Sequence, residues 1–346
     1  VCEVRMKHIR CSLMALLAML CVVPIAKADA IGDFYKGRTI RLIVATPPGG
    51  PYDNHARLLA RHLSDHIPGH PAIVIENLAG GTGMLAANYV YNIGPQDGTV
   101  LGNLHNMLAL IKALGQSDLK LDPARFNWIG NMTREVGDVI LSTRSPVKTI
   151  DDAKHETAVI GAPGAMALGT IYPRVMNYVL GTKFKVVTGY DGAAGVEHAL
   201  EQGEVDGDAG DTWFSGQGNT YDWYKAGKIR VLVQIGTRTP DLPDVPLLVD
   251  LAKNGDDRAL LELFSAPYTI GKPTAVGPKV PADRVAALRT AYAATMQDPA
   301  FLADAKKLGA DIAPVSGDEL ASLMAKLANL PPALLDRAKQ AIAPPP

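Results

Sequence analysis

Four glycine-rich turns are the segments of this chain best suited to chemistry: residues 47–53, 80–84, 161–166 and 190–195. Each follows an apolar run that reads as a strand and precedes one that reads as a helix. At that position free backbone N–H groups and the positive end of a helix dipole meet, which favours an anion. The dipole contributes about 0.3–1 kcal/mol and each charge-assisted hydrogen bond about 1.5–3 kcal/mol, so three or four such bonds support micromolar binding without a side-chain cation. Any one such turn could equally serve only the tight bend, but four at equivalent places point to a shared cleft.

Other candidate chemistry is weaker. Gly81-Thr82-Gly83-Met84-Leu85-Ala86 fits G-x-G-x-x-A after a strand, but Asp97 lies in a turn and not at the strand end where a ribose-binding acid belongs, so no nicotinamide cofactor is expected. His62 and His66 have zinc-compatible spacing on a helix, flanked by His55 and His70, yet nothing completes the set; they read as an exposed polar face, and no metal is expected. His105, just after a strand, is the better cleft candidate. No G-x-S-x-G is present: Ser215 sits in Trp213-Phe214-Ser215-Gly216. The acids Glu201, Glu204, Asp206, Asp208 and Asp211 read as a solvated helix end and a strand end, with Asp211 kept as a cleft residue. Trp213, Trp223 and Tyr224 read equally as core or as a stacking surface.

The elements that must hold these loops alternate in type. Strands are expected at 41–45, 72–76 and 100–104, with helices at 54–66, capped by Asp53, and 84–91; the pattern restarts with strands at 139–141, 158–161 and 185–187 and helices at 168–180 and 196–202. A strand follows at 229–235, and three amphipathic helices at 283–296, 299–308 and 318–329 close the chain. Repeated strand–loop–helix units predict two lobes, each a mostly parallel sheet flanked by helices. The expected division is lobe 1 at 31–140 plus 237–346 and lobe 2 at 141–236, with two hinge crossovers.

The 346 residues, 47% of them hydrophobic and 20% charged, suit a folded protein of this size. Arg5, Lys7 and Arg10 precede the apolar run Leu13–Ile25, and A-x-A sites end at Ala28 and Ala30. That is a secretory signal peptide over residues 1–30, cleaved after Ala28 or Ala30, with Val1 or Met6 as its start; the run is too short for the roughly 20 residues of a membrane span. All three cysteines (Cys2, Cys11, Cys21) fall inside it, so disulfides and thiolate metal sites are excluded downstream. Four of the 34 Lys/Arg and two of the 35 Asp/Glu fall there too, leaving a net −3, which argues against nucleic acid as a partner.

Taken in order, Ile40–Val44 with Pro47-Pro48-Gly49-Gly50, Asp53 and Ala56-Arg57 resembles the opening of the TctC, or Bug, solute-binding proteins of tripartite tricarboxylate transporters. Further matches are Glu76-Asn77 with the 80–83 loop, Asp97-Gly98-Thr99, Gly161-Ala162-Pro163-Gly164, Tyr190-Asp191-Gly192-Ala193, Gly227–Arg230, Leu242–Pro246 and Asp298-Pro299 through Leu308-Gly309-Ala310. The resemblance implies a periplasmic binding protein of the Venus-flytrap type, not an enzyme, holding a small carboxylate largely through backbone amides and serving membrane permease subunits. The matching ligand loops are Thr46–Asp53, including Pro48, Gly49, Gly50 and Tyr52; Pro163–Met166, including Gly164 and Ala165; and Tyr190–Ala193, including Gly192. His105 and Asp211 join them from the loop argument. Pro51-Tyr52 and Ala165-Met166 depart from the smaller residues usual there and imply a bulkier pocket. A monomer is expected. A periplasmic sensor for a membrane receptor and a periplasmic hydrolase or lyase are the competing readings, the latter requiring an acid, base or metal site that the sequence does not supply.

Overall fold

The computed structural model describes residues 30–115, 120–213, 218–310 and 312–344. The expected leader, apart from Ala30, and Ser215 lie outside them. Two sheets organise the chain. The first contains β1 (Thr39–Val44), β2 (Ala72–Asn77), β3 (Val100–Asn103), β4 (Asn127–Asn131), β10 (Thr274–Val276) and β11 (Val315–Ser316), in the order β11-β4-β10-β3-β1-β2. The second contains β5 (Val136–Ser142), β6 (Thr157–Ala162), β7 (Lys183–Thr188), β8 (Gly207–Thr212) and β9 (Ile229–Gly236), in the order β7-β6-β8-β5-β9. Both sheets are mixed. Their strand–helix–strand portions are parallel, whereas β4, β5, β9, β10 and β11 pair antiparallel.

The apolar run of β1 is buried on both faces, which is why it does not alternate. Ile40, Leu42 and Val44 pack with Leu59 and Leu63 of α1 (Pro51–His66), while Ile43 joins the cluster of Met84 and Leu108 on the other face. Burying one such side chain contributes about 1.5–3 kcal/mol. In the second sheet Val139 and Leu141 pack beneath α4 (Leu168–Leu180), and Ile140 faces Leu200 of α5 (Gly192–Gln202) and Trp223 of α6 (Asn219–Lys225).

α1 begins three residues earlier than the sequence indicated, because Pro51 is suited to the first helical position. Gly50 is therefore the N-cap, and Asp53 lies in the first turn. α2 (Met84–Asn88) continues as one π turn, Tyr89–Ile93, and β4, β10 and the helices α3 (Leu108–Ala113) and α7 (Gly255–Ile270) were not foreseen.

The chain crosses to the second sheet between β4 and β5. After β9 it stays on that lobe, since α7 packs on β9, and it returns to the first sheet only at residues 271–273. α8 (Ala282–Thr295) and α9 (Pro299–Lys307) cover α1, and α10 (Gly317–Ala328) covers β4 and α3. The last helix, α11 (Pro332–Ile342), lies across α4 and α7, so the tail is shared between the lobes. His62 and His66 hold α9 in place: His62 Nε2 is 3.1 Å from Asp304 Oδ2 and His66 Nε2 is 2.8 Å from Asp298 Oδ2. They form an interhelical seam and not an exposed face. No cluster of three or more His, Cys, Asp or Glu side chains suited to a metal ion occurs among the described residues.

Candidate functional site

Two cavities open where the strand ends of both sheets face each other. The larger, about 640 Å³, lies between the first turns of α1 (Pro51, His55), the crossover residues Thr133–Val136, Lys272, and Thr212-Trp213 at the end of β8. The smaller, about 270 Å³, is lined by Thr82, His105 and Met107 of the first lobe and by Pro163, Met166–Gly169, Ala193, Val196 and Asp208–Asp211 of the second.

Five of the sequence-derived candidates, His105, Pro163, Met166, Ala193 and Asp211, therefore meet at one cavity. Tyr52 is linked to it through a stacked contact with His105, ring centroids 5.3 Å apart at 15°. Its hydroxyl accepts from Asn106 N at 3.0 Å and donates to Gly271 O at 3.3 Å. Gly164 shapes its loop by accepting from Ala167 N and Thr170 Oγ1, while Pro48, Gly49 and Ala165 are exposed. Gly50 O accepts from Asn54 N, starting α1, and Gly192 opens α5. Tyr190 packs against the core of the second lobe. Thr46 O accepts from Asn77 Nδ2 at 3.0 Å, and Thr46 Oγ1 is buried without a partner.

Asp53 organises the first loop from within. It is 2% exposed, and its carboxylate accepts from Arg57 Nε at 2.8 Å, Gly49 N at 2.9 Å and Asn77 Nδ2 at 2.9 Å. The Arg57 guanidinium, with these amides, holds its pKa down to about 2. These bonds occupy the carboxylate in shaping the 46–53 turn.

The helices that start at the cleft share a property. α1, α4 and α5, of 16, 13 and 11 residues, each begin without a side-chain cap, as do α8 and α11 away from the cavities, while α7, α9 and α10 are capped by Asn254, Asp298 and Ser316. The first N–H groups of a helix have no intrahelical acceptor, so the cleft collects three sets of donors with the favourable dipole end. His105 adds a donor: its Nδ1 accepts from Met107 N at 3.2 Å, which leaves hydrogen on Nε2, and burial together with the Lys272 charge lowers its pKa to about 4.

Lys272 went unread in the sequence because the helix before it was not recognised. It is 3% exposed, contacts Glu135 in an ion pair across the two crossovers, lies 5.5 Å from the Tyr52 ring centroid, and burial lowers its pKa to about 8. Asp208 was expected to be solvated but is 4% exposed: β8 runs through the middle of its sheet and carries it inside.

Residues 56–337 match the family described as Tripartite tricarboxylate transporter family receptor, TctC. The chain belongs to that family. A UPF0065 protein of Cupriavidus necator is 25% identical over 285 residues, 79% of each chain. Among solved structures, a TctC solute-binding protein from Polaromonas superposes with a TM-score of 0.67 at 20% identity, covering 89% of this chain and 99% of that one. A solved structure of an R. palustris protein with adipate gives a TM-score of 0.60 at 21% identity, covering 88% of this chain and 97% of that one. The two-lobed architecture of this chain is that of these binding proteins.

Proposed function

We propose that this TctC-family chain is a periplasmic solute-binding receptor that takes a small carboxylate into the cleft between its lobes and passes it unchanged to the membrane permease subunits of a tripartite transporter. The observation that carries the reading is the convergence of three helix starts without side-chain caps on the cleft. The first amides of α4 and α5, at Leu168, Gly169 and Ala193, and the Nε2–H of His105 are the donors assigned to the ligand; Tyr52 sets the position of His105. The adipate-bound R. palustris relative supports a carboxylate as the ligand class. The receptor acts as a monomer after a signal peptide is removed behind Ala28 or Ala30.

The test is a thermal-shift screen of the mature chain, stripped of ligand by unfolding and refolding, against mono-, di-, tri- and aromatic carboxylates. A ligand at a hundred times its Kd adds about 2.7 kcal/mol of stability, which raises Tm by about 4 °C in a protein of this size. The ligand must be recovered chemically unchanged. A shift produced by neutral solutes and by no carboxylate discards the reading.

A further inference from the structure

The tail of the chain ties the two lobes together a third time. α10 lies on β4 and α3 of the first lobe, whereas α11 lies on α4 and α7 of the second, and only Asn329, Leu330 and Pro331 separate the two helices. Three residues span at most about 10 Å even when extended, and Pro331 and Pro332 fix φ at the far end. The link is therefore short and stiff. Both of its ends are buried. Leu320, Met324 and Leu327 of α10 and Ala338, Ala341 and Ile342 of α11 belong to one apolar cluster that also holds residues of α3, α4 and α7. Polar contacts fix α11 along its length: Arg337 Nη2 donates to Asp257 Oδ1 of α7 at 2.6 Å, the Tyr178 hydroxyl to Gln340 Oε1 at 3.0 Å, and Arg174 Nη1 to the Ile342 carbonyl at 2.8 Å. Arg174 and Tyr178 belong to α4. Both helices that α11 grips reach the cleft: α4 starts at its small cavity, and α7 ends beside Gly271, whose carbonyl accepts from the Tyr52 hydroxyl.

We propose that α11 is a strap that limits how far the cleft opens, so that the lobes separate only as far as the 329–331 link and the α11 contacts allow. Swinging about two crossovers is the default for lobes that share a small polar interface. A packed apolar one resists it, because close-packed side chains have few alternative arrangements. The cluster that runs from α3 and α10 through α11 to α4 and α7 is an interface of the second kind. The strap acts whatever the cleft binds.

The experiment is a spin-label distance measurement on the mature chain, stripped of ligand by unfolding and refolding. Val74 on β2 and Val187 on β7 are exposed, and both strands lie at sheet edges remote from β10 and β5, the strands that adjoin the crossovers, so lobe rotation moves labels there furthest. All native cysteines precede residue 30, so Val74→Cys with Val187→Cys gives two unique attachment points. The parent is expected to give one narrow distance distribution. Inserting Gly-Gly-Ser-Gly between Leu330 and Pro331 leaves the α11 contacts intact and adds roughly 13 Å of reach; the mean distance then grows by about 5 Å or more and the distribution broadens. Arg337→Ala frees one anchor and broadens it less, while Arg337→Lys, which keeps a charge beside Asp257, restores the parent distribution. Urea unfolding checks the fold of each variant. The Arg337 side chain is partly exposed, so its variants decide the matter where the insertion does not fold. An insertion variant with the parent's distances, or a parent already as broad as that variant, overturns the strap, and so does an Arg337→Ala distribution that matches the parent. No ligand enters the measurement, so each of these outcomes leaves the carboxylate-receptor reading where it stands.

Discussion

Replacing Asp53 by Ala tests whether this residue builds the first ligand loop or merely borders it. The substitution removes the acceptor for Gly49 N and Asn77 Nδ2 and the partner of Arg57. The Arg57 side chain is 49% exposed, so that pair contributes at most about 1 kcal/mol. Hydrogen bonds to a charged group contribute about 1.5–3 kcal/mol each, and relaxation of the exposed Gly49 recovers part of the loss, which gives a net cost of about 2–4 kcal/mol. That is a fall in Tm of roughly 3–6 °C. Asp53→Asn keeps an acceptor oxygen and loses less, about 1–2 kcal/mol. The sign with pH is fixed by the depressed pKa of about 2: the stabilisation is complete above the unfolded value near 3.8 and is lost as pH falls towards 2. Urea unfolding at neutral pH, with thermal melts from about pH 5 downward, reads both. A loss for the Ala variant below about 0.5 kcal/mol, or a gap between wild type and variant that does not narrow in acid, refutes the reasoning.

Asp138→Asn runs the other way. Burial and Asp211 raise the Asp138 pKa, so its contribution to stability is present below the unfolded value and lost as pH rises; the variant is more stable by about 1–3 kcal/mol at pH 8, and the gain shrinks towards pH 4 in urea titrations. Gly210→Ala puts a methyl 2.5 Å from Leu168 Cβ at a φ of +85°, a strain costing roughly 2–4 kcal/mol that pushes α4 from the cavity floor, so carboxylate affinity measured by calorimetry falls by about tenfold or more. His105, lowered to about 4, stays neutral from about pH 5 to 8, so the affinity lost in His105→Ala is the same at both ends of that range, while wild-type stability gains from this residue as pH rises from 4 to 6.5.

The loops were legible because their glycines and prolines mark places where only particular backbone geometries fit, and strand–turn–helix order alone puts such places at one sheet edge. What a strand position does inside its sheet was not legible. Asp208 and Asp211 sit in Asp206–Asp211, a stretch of Asp, Gly and Ala with no apolar periodicity, and only the pairing of β8 between β6 and β5 takes Asp208 out of water. Lys272 escaped for a related reason: α7 contains Pro267 and ends at Gly271, so its sequence reads as broken, although packing on β9 makes it a continuous 16-residue helix. The fate of Asp53 turned on one residue, Pro51, whose place at the helix start moved the carboxylate from N-cap to the first turn.

The phenol of Tyr52 gives the cleft a mechanical connection to the rest of the molecule. It stands on the first turn of α1, accepts from the amide of Asn106 in the loop after β3, and donates to the carbonyl of Gly271, where α7 of the second lobe hands the chain back to β10. Lys272 follows at once, seated near the same ring and paired with Glu135 on the other crossover. Breaking that buried pair by removing one partner costs about 3–5 kcal/mol, so the two crossovers are held to each other firmly. If the lobes close on a ligand about these two crossovers, the Tyr52–His105 stack is where that ligand would bear on them. The length of the Tyr52 side chain is what lets one residue reach all three segments.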